Sequence, residues 1–417
     1  MKTQLSDELL ERFLSYVKID TQSSEESTTY PSTEKQKDLL RLLVSELQSL
    51  GLKDAAMDEY GYVMATITAN TRKSSAPTIG FIAHVDTSPE VSGTNVKPVV
   101  WRNYQGQDLV LPGDPSRVIR LADNPALRDQ VGNDVITSDG TTLLGADNKS
   151  GVTEVVTAAG YFIAHPEVKH GTIRLAFTPD EEVGTGTKFF DVGKFGAQVA
   201  YTVDGETRGE VENETFSADS FTAFFKGKNI HPGFAKGKMV NSIKVAAEFI
   251  DRLPKDTLSP ETTEKREGYV HPYVLNGGVE ETSVKLLIRD FETEGLKEKE
   301  ESLEKLAREV VARHKGSALE VKIEESYRNM RHKLDEDPRV VEYALEAVRR
   351  AGLTPRLGSI RGGTDGSKLS YMGLPTPNIF AGEHSFHSRL EWVTLQDMEK
   401  AVEVIVKLAQ LWEERAK

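Results

Sequence analysis

The sequence predicts an α/β protein whose main domain is built in two pieces around a twisted, mostly parallel sheet and is interrupted by a smaller α+β domain. Strands that are buried on both faces of a parallel sheet have unbroken apolar sequences. Three such runs are present, at residues 79–85, 173–178 and 199–203. Helical residues from about 151 to 164 separate the first run from the second, which gives the strand–helix–strand order of an α/β layer.

Two helices are predicted before the first of these strands. The first is amphipathic, because apolar residues recur every fourth position, at Leu5, Leu9, Phe13 and Val17. A polar loop at residues 23–32 leads to the second helix, which we expect to begin with a capping box from Thr33 to Gln36. Gly51 is expected to end it.

The composition changes between residues 214 and 327, where the predicted elements follow the βαββαβ order of ferredoxin-like domains. The predicted strands are 216–225, 269–275, 283–291 and 319–326, and the predicted helices are 240–253 and 296–314. The α/β signals then return, with a helix at 339–350, a strand at 377–380 and a last helix from Thr394. The sequence therefore predicts one domain of residues 1–213 and 328–417 and an inserted domain of residues 214–327.

Length, charge and composition exclude several classes of protein. A chain of 417 residues has room for two or three compact units. Its 52 Lys and Arg residues against 65 Asp and Glu residues leave a net charge of −13, which disfavours nucleic acid and anionic membranes as partners. No apolar run approaches a membrane span, and the first residues carry no apolar signal core, so a cytoplasmic protein is expected.

The chain has no cysteine and only nine histidines, so a metal would have to be held by His, Asp and Glu side chains. Such side chains follow the predicted strands, at the edge where α/β sheets bind ligands. They are His84 and Asp86 at the end of the first strand, Asp180, Glu181 and Glu182 after the second, and Asp204 after the third. Each alone is more often a cap or a loop residue, but clustered carboxylates repel one another unless a cation lies among them.

Two further positions complete a candidate metal site. Asp147 lies in a turn that enters a helix, where its two oxygens could bridge two ions. A second imidazole is available late in the chain from His384 or His387, and their spacing leaves both open. Zn²⁺ suits this donor set, as do Mn²⁺ and Co²⁺. Two bridged ions would activate water for hydrolysis, with one of the adjacent Glu181 and Glu182 left as general base.

Eight segments, in their order and spacing, resemble the tripeptide aminopeptidases of the aminoacylase-like dizinc metallopeptidase family. They are GFIAHVDTSP, TTLLGADNKSG, AFTPDEEVGTG, AYTVDGE, HPGFAKGKMVNS, IRDFE, SYRNM and IRGGTDGSKLSYMGLPTPN. The HxD, GAD, EE and VDG elements are shared by the wider family, whereas PSTEKQ, FTPDEE and IRGGTDGS are typical of the tripeptidase branch. The resemblance covers essentially the whole chain and implies release of the N-terminal residue from tripeptides.

The resemblance also implies two zinc ions per chain, with cobalt or manganese as substitutes. The implied ligands are His84 and Asp204 for one ion, Glu182 and His387 for the other, and Asp147 as the bridge. Glu181 would be the general base, and Asp86 would orient the first imidazole. Asn148 stands where many relatives have Asp, after an implied cis peptide bond, and Ser388 replaces an expected Gly.

Four residues outside the metal site receive implied roles in substrate binding. His231 would stabilise the oxyanion, reaching the site from the partner subunit of a homodimer that forms through the inserted domain. Asn241, Arg289 and Arg361 would bind the substrate backbone and its C-terminal carboxylate, for which a guanidinium is suited.

Two alternatives share parts of this interpretation. Another amide hydrolase of the family, such as a dipeptidase, an N-acyl amino acid deacylase or an exopeptidase of opposite polarity, would have the same metal site. A non-catalytic peptide-binding relative would keep the fold without needing a general base. The presence of Glu181 beside a complete ligand set argues against that second alternative.

Overall fold

The computed structural model describes residues 2–417, which form two compact units. The first unit contains the residues up to Asn213 together with Met330–Ser359 and Thr364–Lys417. The second contains Glu214–Asn329 and Ile360–Gly363. The second unit thus includes a short segment, residues 360–363, that the sequence-based boundaries assign to the two-piece domain.

Both units contain α-helices as well as β-strands. In chain order, the α-helices are α1 (Lys2–Tyr16), α2 (Gln36–Ser49), α3 (Ala146–Ala164), α4 (Val192–Phe195), α5 (Ser242–Asp251), α6 (Thr293–Arg313), α7 (Arg331–Leu334), α8 (Arg339–Arg350), α9 (Asp365–Tyr371) and α10 (Leu395–Glu414). The strands are β1 (Ala56–Met57), β2 (Val63–Ile67), β3 (Ile79–His84), β4 (Val99–Trp101), β5 (Leu109–Val110), β6 (Val118–Ile119), β7 (Val135–Thr137), β8 (Ile173–Thr178), β9 (Val199–Gly205), β10 (Glu210–Thr215), β11 (Ser217–Lys226), β12 (Tyr269–Gly277), β13 (Glu281–Asp290), β14 (Ala318–Tyr327), β15 (Arg356–Ile360), β16 (Asn378–Phe380), β17 (Glu383–His384) and β18 (Trp392–Thr394). Within residues 2–417, no helix is both long enough and apolar enough to cross a membrane.

The first unit is organised around an eight-stranded sheet with the order β1-β2-β8-β3-β9-β16-β10-β15. Its four central strands, from β8 to β16, run parallel, and β2 and β10 join them in antiparallel pairs. Every residue of β3 is buried, which explains its unbroken apolar sequence. The predicted α/β class with a mostly parallel sheet is confirmed.

Helix α3 packs directly on the centre of this sheet. It contacts β3 and β9, and α1 and α10 pack against it in turn. The approach to β9 is close because Gly151 has no side chain: a methyl group there would lie 1.9 Å from the backbone oxygen of Val203. The first turns of α3 therefore lie against the carboxyl end of β9.

A smaller sheet, with the order β17-β18-β7-β4, completes the features of the first unit that position the site. β17 and β18 pair antiparallel, with Glu383 opposite Val393 and His384 opposite Trp392. The chain between these two strands forms a loop at residues 385–391, and this loop presents His387.

The start of α2 differs from the prediction. The helix begins at Gln36 after an N-cap at Lys35 that makes no side-chain capping bond, so the predicted capping box is wrong. Gln36 Nε2 lies 3.2 Å from Thr33 Oγ1, but it also donates to Asp180 Oδ1 at 2.7 Å, and Gln36 Oε1 accepts from Asp180 N at 3.1 Å. A partner distant in sequence therefore replaces the local cap.

The second unit has the predicted βαββαβ order. Its antiparallel sheet has the strand order β12-β13-β11-β14, and α5 and α6 pack against the sheet and against each other. Its core contains Phe221, Val245, Leu286, Leu296 and Leu303. β12 is an edge strand of this sheet, and it exposes the consecutive apolar residues Tyr273, Val274 and Leu275.

Candidate metal centre

The carboxyl ends of three parallel strands lie side by side in the first unit. His84 on β3 pairs with Thr178 on β8, and Ile82 on β3 pairs with Thr202 on β9. The residues that follow these pairs therefore lie at one edge of the sheet, which is where open α/β sheets bind ligands. These residues are Asp86, Asp180, Glu181, Glu182 and Asp204.

His84 is buried and faces two carboxylates. Its Nδ1 lies 3.1 Å from the backbone oxygen of Asp86, and because a carbonyl only accepts hydrogen bonds, Nδ1 carries a proton. Nε2 lies 3.0 Å from Asp147 Oδ1 and 3.3 Å from Asp204 Oδ1. The imidazole is thus oriented so that Nε2 points to the carboxylates.

His387 approaches the other oxygen of the same aspartate. Its Nε2 lies 3.2 Å from Asp147 Oδ2 and 2.7 Å from Glu182 Oε2. Two groups of candidate ligand atoms result, each with all atoms within 4.8 Å of one another. The first group comes from His84, Asp147 and Asp204, and the second from Asp147, Glu182 and His387. Asp147 belongs to both, as a bridging carboxylate would.

The electrostatics follow from the convergence of acids in a buried space. Burial, followed by the charge of Asp147, raises the pKa of Glu182 to about 8. Burial disfavours the imidazolium of His387, but hydrogen bonds to Asp147 and Glu182 outweigh it and raise its pKa to about 11. Burial likewise acts against the charge of Asp147, yet its bonds to the two imidazoles hold its pKa below the ordinary value. The cluster therefore favours positive charge at its centre.

Asp86 is fully buried, and it contacts the backbone of the glutamate pair as well as the imidazole of His84. Its Oδ1 accepts a hydrogen bond from Glu181 N at 3.0 Å, and its Oδ2 accepts one from Glu182 N at 3.2 Å. The implied role of Asp86 concerned His84 alone. The structure adds that its carboxylate fixes the backbone of both glutamates.

Glu181 differs from its neighbour in having no fixed partner. Within the described chain, its carboxylate makes no hydrogen bond, and its side chain is only half-buried. Burial raises the pKa of Glu181 well above its ordinary value, the charge of His84 opposes this effect, and the charge of Asp365 adds to it. A carboxyl with a raised pKa is suited to take up and release a proton near neutral pH.

Glu391 is a supporting residue that the sequence analysis missed. This buried carboxylate accepts hydrogen bonds from the backbone N–H groups of Leu144 at 2.7 Å, Gly145 at 2.7 Å and Asp147 at 3.0 Å. It therefore fixes the turn that presents Asp147. In the sequence, Glu391 stands between Leu390 and Trp392. This apolar setting indicates a buried segment, but it does not indicate a residue that supports a metal ligand.

The peptide bond between Asp147 and Asn148 is cis, as the resemblance implies. Asn148 is fully buried, and its Oδ1 accepts from Gly151 N at 3.1 Å. The departure from Asp at position 148 thus places a neutral side chain at the start of α3. The Oγ of Ser388, the other departure, donates to the backbone oxygen of Ser385 within the 385–391 loop.

Asp180 supports the glutamate pair from the side of the polar N-terminal loop. It is buried in a left-handed backbone conformation with φ +58°. It accepts from Ser32 N at 2.6 Å, from the hydroxyl of Ser32 and from Gln36 Nε2 at 2.7 Å. The PSTEKQ segment, which the resemblance marks as typical of the tripeptidase branch, thus holds the segment that begins the DEE motif.

The choice between the two late histidines follows from their contacts. His387 reaches Asp147 and Glu182, whereas His384 Nδ1 lies 3.2 Å from Glu206 Oε1. The ring of His384 stacks on Trp392 with a centroid distance of 4.1 Å. Of these two histidines, only His387 belongs to a group of candidate metal ligands among the described residues.

The four predicted substrate residues all lie in the second unit. The exposed His231 accepts from Gly233 N at 3.2 Å, and Asn241 caps α5 by accepting from Ile243 N at 3.0 Å. Arg289 lies over the ring of Tyr327, 5.2 Å from its centroid.

Arg361 is held much more firmly than Arg289. Its Nη1 donates to the backbone oxygens of Lys265 at 2.7 Å and Glu267 at 2.9 Å, and its Nη2 donates to the Thr263 hydroxyl at 3.0 Å. The guanidinium also lies over the ring of Phe216, at 5.1 Å. In this structure Arg361 therefore anchors the segment 263–267.

Known proteins resemble this chain in both sequence and fold. Residues 140–411 match the sequence pattern of peptidase family M20/M25/M40. The chain is 49% identical to peptidase T of Geobacillus thermodenitrificans over 411 residues, which is 99% of this chain and 100% of that protein.

Two solved structures share the fold at lower identity. Aminopeptidase PepT from Bacillus cereus is 22% identical with a TM-score of 0.75, and a tripeptidase from Staphylococcus aureus is 23% identical with a TM-score of 0.76. Each comparison covers 98% of this chain and 99% of the other. The family pattern over more than half of the chain and the full-length relative at 49% identity show that this chain belongs to peptidase family M20/M25/M40.

Proposed function

We propose that this chain is a metallo-aminopeptidase that releases the N-terminal residue of tripeptides with the help of two zinc ions. The observation that carries the proposal is the position of Asp147 between two imidazoles, with Oδ1 at 3.0 Å from His84 Nε2 and Oδ2 at 3.2 Å from His387 Nε2. This arrangement supports a bridge between two cations. The name and full-length similarity of the peptidase T relative support the activity.

The donor set fits two divalent cations. Oε1 of Glu182 is buried and has no hydrogen-bond partner among the described residues, as expected of an oxygen kept for a cation. The donors are imidazole nitrogens and carboxylate oxygens, which suit zinc and also cobalt or manganese. His84 and Asp204 would hold one ion, and Glu182 and His387 the other. When bound, two such ions lower the pKa of water and polarise a carbonyl.

Glu181 would carry the proton in this reaction. Its carboxylate has no hydrogen bond of its own in the described chain, and its raised pKa lets it accept a proton from water and pass it to the leaving amine. Asp86 would keep Glu181 in place through the backbone bond at 3.0 Å, while also orienting His84. One residue would thus prepare both the ligand, through its backbone oxygen, and the base, through its carboxylate.

The substrate would be held by side chains of the second unit. We assign the oxyanion to His231, the peptide backbone to Asn241, and the C-terminal carboxylate to Arg289 and Arg361. A carboxylate that must reach two guanidinium groups sets the length of peptide that binds, which suits a tripeptidase.

Homodimerisation through the second unit belongs to the same proposal. Edge strand β12 leaves one row of backbone groups unpaired within its sheet and exposes Tyr273, Val274 and Leu275, which favours pairing with another chain. Leu275→Glu should shift the protein to monomers in sedimentation velocity. Leu357→Glu is the matched control, because Leu357 is equally exposed on edge strand β15. Since His231 would act from the partner, the monomer should keep its metals but lose turnover.

The activity is tested with matched peptides and metal control. A free tripeptide, its N-acetylated form and the corresponding dipeptide are incubated with purified protein, with and without a chelator, and zinc, cobalt or manganese is then added back. We expect cleavage of the free tripeptide alone, its loss with the chelator and its return with metal. Release of acetate from the acetylated peptide would instead identify a deacylase, release of its C-terminal residue an exopeptidase of opposite polarity, and preference for the dipeptide a dipeptidase.

A further inference from the structure

A cavity of about 300 Å³ lies in the first unit beside the candidate metal centre. We call it the Glu206 cavity, and the residues that define it are Asp123, Asn124, Glu206, His384, Phe386 and Trp392. Two chain segments carry part of its wall and two of the five proposed metal ligands: Glu206 follows Asp204 by two residues, and Phe386 directly precedes His387. The wall of the Glu206 cavity is therefore within two residues, along the chain, of two proposed metal ligands.

The walls of the Glu206 cavity are fixed by contacts among themselves. Ser385 Oγ donates to Asn124 Oδ1 at 3.0 Å, which joins the turn at residues 123–126 to the 385–391 loop. His384 is only 3% exposed, and its ring stacks on the fully buried Trp392. A cavity built in this way is preformed, so a ligand would bind without ordering its walls.

Glu206 and His384 present acceptor atoms in the Glu206 cavity, whereas the indole N–H of Trp392 is a buried donor without a hydrogen-bond partner among the described residues. A carboxylate only accepts hydrogen bonds, so the contact between Glu206 Oε1 and His384 Nδ1 at 3.2 Å places the proton of the neutral ring on Nδ1. His384 Nε2 is then an acceptor, and in the described part of the chain no hydrogen bond is made to it. Glu206 is half exposed, with 51% of its side chain accessible, so it can accept further bonds.

The negative charge of the lining residues favours a cationic ligand, as their hydrogen-bond acceptors do. Two carboxylates, from Asp123 and Glu206, line the Glu206 cavity, and none of the described residues that line it is Lys or Arg. The ring of Phe386 adds an apolar surface that is 42% exposed. Acidic acceptors next to aromatic carbon suit a long alkyl chain that ends in a cation.

We propose that the Glu206 cavity binds the side chain of an N-terminal lysine and so gives the enzyme a preference for peptides that begin with a basic residue. The proposal rests on the aminopeptidase function above. The volume is at the lower end of the range for small-molecule sites, which suits one amino-acid side chain rather than a whole peptide. The ammonium group donates to Glu206 and His384 Nε2, and the methylene chain packs on Phe386.

The test compares Lys-Gly-Gly with Nle-Gly-Gly, since norleucine keeps the alkyl chain of lysine without its ammonium group. The ratio of kcat/KM for the two peptides should exceed ten in the unmodified enzyme and fall at least tenfold in Glu206→Gln. Glu167→Gln is the matched control, because Glu167 also contacts a histidine Nδ1, that of His165 at 2.9 Å, but lies outside the Glu206 cavity. This control should keep the ratio of the unmodified enzyme.

Binding of the free amino acids gives a second measurement that needs no turnover. In calorimetric titrations, L-lysine should bind more tightly than L-norleucine to the unmodified protein, and this difference should disappear in Glu206→Gln. Equal kcat/KM values for the two tripeptides in the unmodified enzyme would overturn the inference and leave the proposed function intact. An equal loss for both peptides in Glu206→Gln would also overturn it, because Glu206 would then act on the α-amine. If no tripeptide is cleaved, the proposed function fails, and the titrations still test the Glu206 cavity.

Discussion

Gly151 on α3 lies against the backbone oxygen of Val203 on β9, and a methyl group at Gly151 would come to 1.9 Å from that oxygen. Asp147 lies four residues before Gly151, and Asp204 directly follows Val203. Both carboxylates reach His84 Nε2, at 3.0 and 3.3 Å. The close contact of helix and strand thus sets the separation of two proposed ligands.

Gly151→Ala should disturb the metal centre through the backbone alone. The added methyl group would overlap the backbone oxygen of Val203, so α3 and β9 would have to move apart. This overpacking should lower the free energy of unfolding by about 1–3 kcal/mol. Metal affinity should fall as Asp147 and Asp204 separate. Urea unfolding of the metal-free protein and calorimetric zinc titration measure the two effects.

Gly160→Ala is the control for this substitution, because Gly160 lies on the same helix and its added methyl group would meet Leu50 at an ordinary 3.6 Å. Helix propensity predicts that this change stabilises the protein by up to about 1 kcal/mol. Unchanged zinc affinity in Gly151→Ala would show that helix packing does not set the ligand separation.

Glu391→Gln should weaken metal binding although Glu391 is not a proposed ligand. An amide keeps one acceptor oxygen but places an NH₂ group against one of the backbone N–H groups of Leu144, Gly145 or Asp147. The turn that presents Asp147 should loosen, and loss of such supporting contacts typically lowers metal affinity by about 10- to 100-fold. Competition with a chromophoric chelator measures the dissociation constant.

A buried acid elsewhere in the same unit controls for the replacement of a buried carboxyl group by an amide. Glu154 on α3 is fully buried, and neither of its carboxylate oxygens has a hydrogen-bond partner among the described residues. Glu154→Gln should therefore keep the zinc affinity of the unmodified protein. Equal effects of the two substitutions would assign the weakening to the replacement of a buried carboxyl group in general and not to the Asp147 turn.

The strand ends and most of the proposed centre could be predicted from sequence for one physical reason. Strands that are buried on both faces have a distinct apolar pattern, and parallel strands bring their carboxyl ends to one edge, so His84, Glu182 and Asp204 can be placed together without a structure. The roles of Gln36 and Glu391 could not be predicted in this way. Their partners are far away in sequence, and Gln36 fits a local capping pattern that tertiary contacts override.

The late histidine shows a second limit of sequence analysis. His384 and His387 are three residues apart, and their spacing gave no reason to choose between them. The outcome depends on the loop between β17 and β18, where Ser385 and His387 adopt positive φ angles of 53° and 56°. Non-glycine residues rarely adopt this conformation, so spacing could not indicate which imidazole would face Asp147, and only the resemblance implied His387.

Glu181→Ala should separate metal binding from catalysis. Within the described chain the Glu181 carboxylate makes no hydrogen bond, so its removal should leave both metals bound. Turnover should fall by about 10²- to 10⁴-fold, the usual contribution of a general acid–base residue. Metal content by mass spectrometry and kcat on a tripeptide give the two readouts. A variant that lost its metals as well would make Glu181 a ligand instead of a base.

Arg289 and Arg361 should respond differently to removal, because only Arg361 is held by several backbone oxygens. Arg361→Ala loses the bonds to Lys265 and Glu267, so it should lower the unfolding temperature as well as activity. Arg289→Ala should change stability by less than about 0.5 kcal/mol.

Comparing a tripeptide with its C-terminal amide distinguishes a role of Arg289 in substrate binding from a role in protein stability. A hydrogen bond to a charged group contributes about 1.5–3 kcal/mol, so Arg289→Ala should lower kcat/KM for a tripeptide by about 10- to 100-fold, mainly through KM. The C-terminal amide of the same tripeptide lacks the carboxylate, so its kcat/KM should fall much less in Arg289→Ala. If both peptides lose equally, Arg289 does not bind the carboxylate, and its contact with the ring of Tyr327 is then its principal role.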